Sequence, residues 1–462
     1  MSIRGWAEQN FGGAELGDER RTRRLVAMAH RAALAPAGLV SAVFRIAAER
    51  QAAYDLLEHD QVSADAVSKA LFDTTTKACR AERRVLIVLD GASVGVQDLT
   101  QKKGVGRIAN FDEGGGLGLK VMNAYAVSER GTPIGVADQI WWTRPLETRI
   151  STRKYRPAKE RESHRWREAI AQVSQRFAAH ASGTKIHFIA DREADATLTV
   201  KALLRSGHEF TIRSNAKRKI QGESRRLRLR SVLAQHRPVA RMVVQLPGRA
   251  RRPSRMARLD VRAARVPLIL RDHHYGDRSV RELTIVWARE VGRKGIDWTL
   301  ITNTPVKTAR DACDAIRRYA QRWRIEDFHR TWKSGLCDVE ATQLRSRNAI
   351  IKWATILGAV ASRAERLRHR YREEPDVAAT NEFSSTEIEA IVFLKNEDKR
   401  QQNISSDGLT MATAIRWIAD LGGYVGNRGS GPPGATTIAR GLERVVLTAE
   451  IFEKLRADGR LR

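Results

Sequence analysis

Tyr319, Arg322, Glu326 and Lys333 carry the first chemical signal in this chain. They stand three, four and seven positions apart, and at about 100° per residue a helix places all four within roughly 60° of arc. A phenol, a guanidinium, a carboxylate and an ammonium on one stripe can hold a metal ion and a phosphate together. The same stripe also reads as a solvated face with an Arg322–Glu326 ion pair worth about 0.3 kcal/mol. Two further acids end apolar runs, Arg84-Val-Leu-Ile-Val-Leu-Asp90 and Lys185-Ile-His-Phe-Ile-Ala-Asp191, which read as buried strands. Taken singly, Asp90 before Gly91 is a turn residue and Asp191 an N-cap. Together with Glu326 they form a set of three carboxylates able to converge at the crevice beyond the carboxyl ends of an open sheet.

These residues need elements to position them. Thr308 caps a helix with Asp311 three residues on, and Gly335 suits its far end, which predicts one helix of about 25 residues, roughly 37 Å long. Upstream, helices are expected over 18–35, 40–58 and 63–80, giving an all-helical N-terminal domain over 1–70. Its Arg20, Arg21, Arg23, Arg24, Arg45 and Arg50 are candidate phosphate contacts or solvated surface arginines. A catalytic core over 71–372 begins with a three-stranded meander, Asp90's strand followed by Val121–Val127 and Ile134–Trp141. The glycines at 114, 115, 116 and 118 have no Walker Lys-Ser pair and no following helix, so a flexible turn is expected there. A helix over 163–181 precedes the strand that ends in Asp191.

The formal net charge is +29, with 82 Lys and Arg against 53 acids, which calls for a polyanionic partner. About half of that excess lies in residues 201–260, where 17 basic residues face three acids. Apolar residues alternate through the same region, so a β-rich basic insertion is expected over about 206–300, one face along DNA. From 373 to 398 the sign reverses, and with Pro375 this suggests a linker or boundary before a helical C-terminal domain over 373–462. There Ile438, Leu442, Val445, Ala449 and Phe452 form a seam for a partner helix, within the chain or across a dimer. Three cysteines without paired spacing exclude a disulfide framework or zinc cluster, so a catalytic metal would have oxygen ligands. The opening residues lack an apolar signal core and the run Val85–Leu89 is too short to span a bilayer, so no membrane association and a soluble intracellular protein are expected.

The spacing Tyr319, Arg322, Glu326, Lys333 resembles the Tyr-Arg-Glu-Lys signature of bacterial cut-and-paste insertion-sequence transposases of the DDE class. Asp191-Arg-Glu-Ala-Asp195 is similar to that family's second-aspartate motif. Trp141-Trp-Thr-Arg-Pro145, Glu162-Ser-His-Arg-Trp166 and Leu16-Gly-Asp-Glu-Arg-Arg21 are similar to further landmarks. The resemblance implies an α/β fold: a ribonuclease H-like catalytic core with a β-rich insertion, flanked by helical domains. It implies that Asp90, Asp191 and Glu326 bind two Mg²⁺ ions, with Mn²⁺ as a substitute, and that Tyr319, Arg322 and Lys333 grip a phosphate. Trp298 would stack a flipped base while a hairpin forms and Arg213 would contact DNA; of the N-terminal arginines, Arg20, Arg21 and Arg24 are the candidate DNA contacts. The implied partners are transposon-end DNA with inverted repeats, target DNA and a second copy of the chain in a synaptic complex, in the bacterial cytoplasm at the nucleoid. One departure is Ala92, where a threonine is expected two residues after the first aspartate.

Overall fold

The computed structural model describes residues 1–108, 116–146, 161–215, 218–221, 227–246, 255–271, 278–292, 295–397, 405–426 and 431–461. The chain opens with helices α1 (Ile3–Phe11), α2 (Glu19–Leu34), α3 (Val40–Val43), α4 (Ala47–Glu58) and α5 (Ala64–Ala78). Asp18 caps α2 and Ser63 caps α5, as their side chains accept backbone N–H groups that helix starts leave unpaired. The helix expected over 40–58 is two, because the chain turns out of helical geometry between Val43 and Ala47 with Phe44 driven into the core. Helix α5 runs through position 70, so the domain limit placed there falls inside a helix.

The core follows as β1 (Arg84–Gly95), β2 (Gly106–Arg107), β3 (Leu117–Ser128), β4 (Pro133–Trp142), α6 (Ser163–His180), β5 (Lys185–Ala190), α7 (Thr197–Arg205) and β6 (Glu209–Arg213). Strands β4, β3, β1, β5 and β6 lie side by side in that order. The first three are an antiparallel meander, and β5 and β6 run parallel to β1. This is a ribonuclease H-like core. Its central strand is apolar on both faces, with Val85 to Leu89 all buried, because helices cover both sides of a strand in this position. Of the glycine-rich stretch, residues 114 and 115 lie outside the described residues.

Beyond β6 come β7 (Lys219–Ile220), β8 (Leu227–Arg228), α8 (Leu229–Gln235), β9 (Ala240–Leu246), β10 (Arg255–Arg271), β11 (Arg278–Glu290) and β12 (Asp297–Thr302). Strand β12 pairs antiparallel with β6, and β11 and β10 follow, so the insertion extends the core sheet. The insertion expected from residue 206 starts after Arg213 instead, because β6 is itself a core strand pairing with β5. The pattern of residues 210–212 could not separate these cases, since both are strands.

Helices α9 (Ala309–Ala320), α10 (Trp323–Lys333), α11 (Arg347–Glu373), α12 (Ser385–Asn396), α13 (Met411–Leu421) and α14 (Ala435–Ala457) complete the chain. Thr308 and Asp311 form the expected capping box. The single helix expected over 308–335 is broken, because Gln321 and Arg322 N–H groups bond three residues back, to Arg318 and Tyr319, and tighten the joint. Gly335 is not a left-handed cap. It is needed for close approach, as a Cβ there would lie 2.7 Å from the Arg330 carbonyl oxygen.

The acidic segment expected to be a linker is docked on α11. Glu382 pairs with Arg366 and Arg370, Glu374 accepts from Thr132 at 2.5 Å, and Glu387 closes a capping box with Ser384. The seam of α14 is likewise taken up within the chain: Ile438, Leu442, Val445 and Ala449 are buried, and His30 of α2 reaches Glu450 at 2.8 Å. N- and C-terminal helices thus share one core with α11. There Lys352 donates to the carbonyls of Leu56, His59 and Val62 at 3.4, 3.2 and 2.9 Å. No described helix is long and apolar enough to cross a membrane.

Candidate active site

Asp90 and Asp191 are brought together by strand register. In the parallel pair β1 and β5, Leu89 stands opposite Ala190, so the next residue on each strand is an aspartate on the same face. Asp191 then leaves the sheet, its carboxylate capping a short turn by accepting Glu193 N–H at 2.7 Å. Asp195 holds that turn against the residues after β6, accepting from Ser214 Oγ at 2.9 Å and Asn215 N–H at 2.8 Å and pairing with Arg218. On its other flank Asp90 pairs with Asn123 of β3.

Helix α10 lies over β1 and brings Glu326 to the same end of the sheet. Burial, the neighbouring Asp191, and then Glu326 and Glu193 push the Asp90 carboxyl up to about 7, against the pull of Arg322. Four acids therefore share one electrostatic neighbourhood. Arg322 pairs with Glu326 on the i,i+4 spacing read from the sequence. Among the described residues no three His, Cys, Asp or Glu groups close around a common point as metal ligands. The donor chemistry still fits a divalent cation: the carboxylates are hard oxygen donors, and their mutual repulsion at Asp90 is what such an ion relieves.

The remaining expected residues fall into two groups. Tyr319 is buried at the end of α9. Burial raises the pKa of its hydroxyl against the nearby cations Arg322 and Arg213, with Asp191 also in range. Arg213, which donates to the Asp297 carbonyl at 3.3 Å, lies within electrostatic range of Tyr319. Trp298 packs edge-on to the Tyr319 ring at 5.1 Å and is 9% exposed, so in this conformation its face is covered. Lys333 sits at the far end of α10 with its ammonium 3.4 Å from Glu340, whose carboxylate also accepts Gly95 N–H.

Arg20 and Arg24 are exposed on α2. Arg21 is committed elsewhere. Its guanidinium donates to the Leu16 carbonyl at 3.1 Å and to Gln61 at 2.9 Å and contacts His59, stitching α2 to the turn after α4.

Sequence reading missed three residues beside the acids. His329 lies 3.9 Å from Asp90 Oδ2, and the spacing Glu326 to His329 on one helix face was an available signal. Asn123 carried none. Lys120, opposite Ser93 in the β1–β3 register, donates to the Ser93 hydroxyl at 2.9 Å; burial lowers its pKa, with Glu193 and Lys333 in electrostatic range.

Two family models match the chain. Residues 3–62 match a transposase DNA-binding model and residues 149–362 match a transposase DDE domain. The second match spans Asp191, Arg213, Trp298, Tyr319, Arg322, Glu326 and Lys333 and begins after Asp90, which the β1–β5 register places beside Asp191. Over these two stretches the chain is thus similar to the DNA-binding and DDE parts of transposases.

Proposed function

We propose that the chain is an active cut-and-paste DNA transposase. In this reading it binds the inverted-repeat ends of its element, cleaves them through a 3′-hydroxyl and a hairpin intermediate, and joins them to target DNA. The observation that carries it is the pairing of Asp90 and Asp191 at the ends of adjacent parallel strands, with Glu326 on the helix above and Arg322, Tyr319 and Arg213 around them. Asp90, Asp191 and Glu326 would hold divalent ions, Mg²⁺ by preference and two in number. Such ions supply activation of a water or 3′-hydroxyl and stabilisation of the leaving oxygen in an in-line phosphoryl transfer.

The side chains have their own tasks. Arg322, between Glu326 and Asp90, turns to the phosphate of the bound end while Glu326 turns to the ion, so the ion pair of the free protein is exchanged for two better-matched partners. Tyr319 and Lys333 hold the same end from either side. Trp298, covered by Tyr319 in the free chain, receives the extruded base once the Tyr319 ring moves. The exposed Arg20 and Arg24 contact end DNA, and two copies of the chain hold two ends in a synaptic complex, in the bacterial cytoplasm at the nucleoid.

A second reading is a catalytically idle DNA-binding regulator, favoured by the engagement of Glu326 with Arg322. One experiment separates the two. The protein is incubated with a fragment carrying the native ends and a supercoiled target, with and without Mg²⁺ or Mn²⁺, and products are resolved on denaturing gels. Metal-dependent nicks, hairpins and joined products support the transposase. Specific end binding without products under either ion supports the regulator.

A further inference from the structure

Asp90 is approached by a line of polar side chains drawn from three elements. Gln139 of β4 stands opposite Asn123 of β3 in the strand register, and Asn123 stands opposite Asp90 of β1. Gln139 Nε2 donates to Asn123 Oδ1 at 2.7 Å. With its oxygen so engaged, the Asn123 amide turns its NH₂ toward His329 Nε2 of α10, 2.9 Å away. Phe328 and Trp332, neighbours of His329 on α10, are fully buried, and the His329 side chain is only 13% exposed, with Arg322 and Lys333 nearby. An imidazole nitrogen that accepts a hydrogen bond carries no hydrogen, and the ring then holds its one N–H on the other nitrogen. Since Nε2 accepts from Asn123, that hydrogen sits on Nδ1, and Nδ1 is the atom facing Asp90 Oδ2 at 3.9 Å.

We infer that His329 is a positioning residue for Asp90: the Gln139–Asn123–His329 line fixes its tautomer so that Nδ1–H is directed at one oxygen of the carboxylate, leaving the other for a divalent cation. This rests on the reading of Asp90 as a metal ligand. Outer polar contacts to ligating carboxylates orient them, and losing such contacts weakens metal binding by about tenfold to a hundredfold. The polarity matters as much as the contact. An Nε2–H tautomer would place two donors against each other at Asn123 and a lone pair against Asp90.

Two measurements on the full chain test this. In protein labelled with ¹⁵N in the imidazole rings, the His329 resonance, assigned by its loss in His329→Asn, reports Nδ1–H; finding Nε2–H or imidazolium overturns the inference. Mn²⁺ titration followed by electron paramagnetic resonance reads the metal. His329→Asn, whose amide NH₂ can take the place of Nδ1–H, stays within about threefold of the parent. His329→Gln, which reaches the Asn123 side instead, binds Mn²⁺ about tenfold more weakly. Equal affinity in His329→Gln and the parent overturns the inference while leaving Asp90 a ligand. Parent binding that survives Asp90→Ala removes Asp90 as a ligand and the inference with it. Should His329→Gln fail to fold, Asn123→Leu replaces it: the same loss of Mn²⁺ affinity, with a mixed tautomer at His329, is expected, and an unchanged tautomer and affinity overturn the line.

Discussion

The same three parallel strands carry charge at both ends, and the two ends are built on opposite rules. At the amino ends of β1, β5 and β6 the acids Glu129 and Glu209 each meet bases. Arg84 lies between Glu129 at 2.9 Å and Glu209 at 3.0 Å, Arg318 of α9 reaches Glu129 at 3.5 Å, and His187 meets Glu209 at 3.2 Å. The His187 hydrogen bond, with Arg84 behind it, holds the Glu209 carboxyl down to about 2, against the effect of burial. At the carboxyl ends acids face acids, and Asp90 is pushed up to about 7. One end is satisfied by the chain itself; the other is left for something the chain does not contain. Groups tuned away from their ordinary values by like charges are a mark of function, whereas compensated networks are a mark of structure.

The contrast is sharpest in activity. Asp90→Ala, Asp191→Ala and Glu326→Ala should each lower end cleavage by at least about a thousandfold while end binding changes little, measured by gel assay and filter binding. Metal-dependent cleavage retained by any of the three removes that residue from the site. At the opposite end the loss should appear in stability. Arg84→Met takes away the cation shared by Glu129 and Glu209, leaving them only Arg318 and His187, and should cost about 2 kcal/mol in urea unfolding. A cost below about 0.5 kcal/mol would mean that this network is solvated and the comparison is false.

Smaller effects probe the sign. In metal-free buffer Asp90→Asn should stabilise the fold by about 1 kcal/mol, since it removes repulsion that serves function. The folded pKa of Asp90 lies above its ordinary value, so its contribution is full below about pH 4 and is lost as the pH rises toward 7. Asp90→Asn should flatten the pH dependence over that window. Glu209 has the opposite sign. Its folded pKa is depressed, so its contribution is present above the ordinary carboxylate value and lost as the pH falls toward about 2. Urea midpoints at pH 5 and pH 3 should fall less for Glu209→Gln than for the parent, and an equal fall would dissolve the contrast.

Much of the candidate site was legible because its parts are local. Buried parallel strands are continuous apolar runs, so an acid that ends one, as Asp90 and Asp191 do, stands out. Helical periodicity puts Tyr319, Arg322, Glu326 and Lys333 in order even though the helix is broken at Gln321 and Arg322, because the joint stays close to helical geometry. What stayed open depends on contacts between distant residues. Arg21 looked like its neighbours Arg20 and Arg24 until His59 and Gln61 were brought beside it. The seam of α14 has the same pattern whether a second chain or α2 and α13 covers it, and the acids from 373 onward look like a linker until Arg366 and Arg370 are found under them.

By itself, then, the sequence determined the strand ends, the helix stripe and the charge of the partner, since each follows from a period of two or 3.6 residues or from a sum of charges. Only the tertiary structure decided that the two aspartates stand on adjacent strands, that β6 belongs to the core, and that His329 and Asn123 lie beside Asp90. Register between strands about a hundred residues apart and the descent of a helix onto a sheet are set by packing of the whole core. No local pattern carries that information.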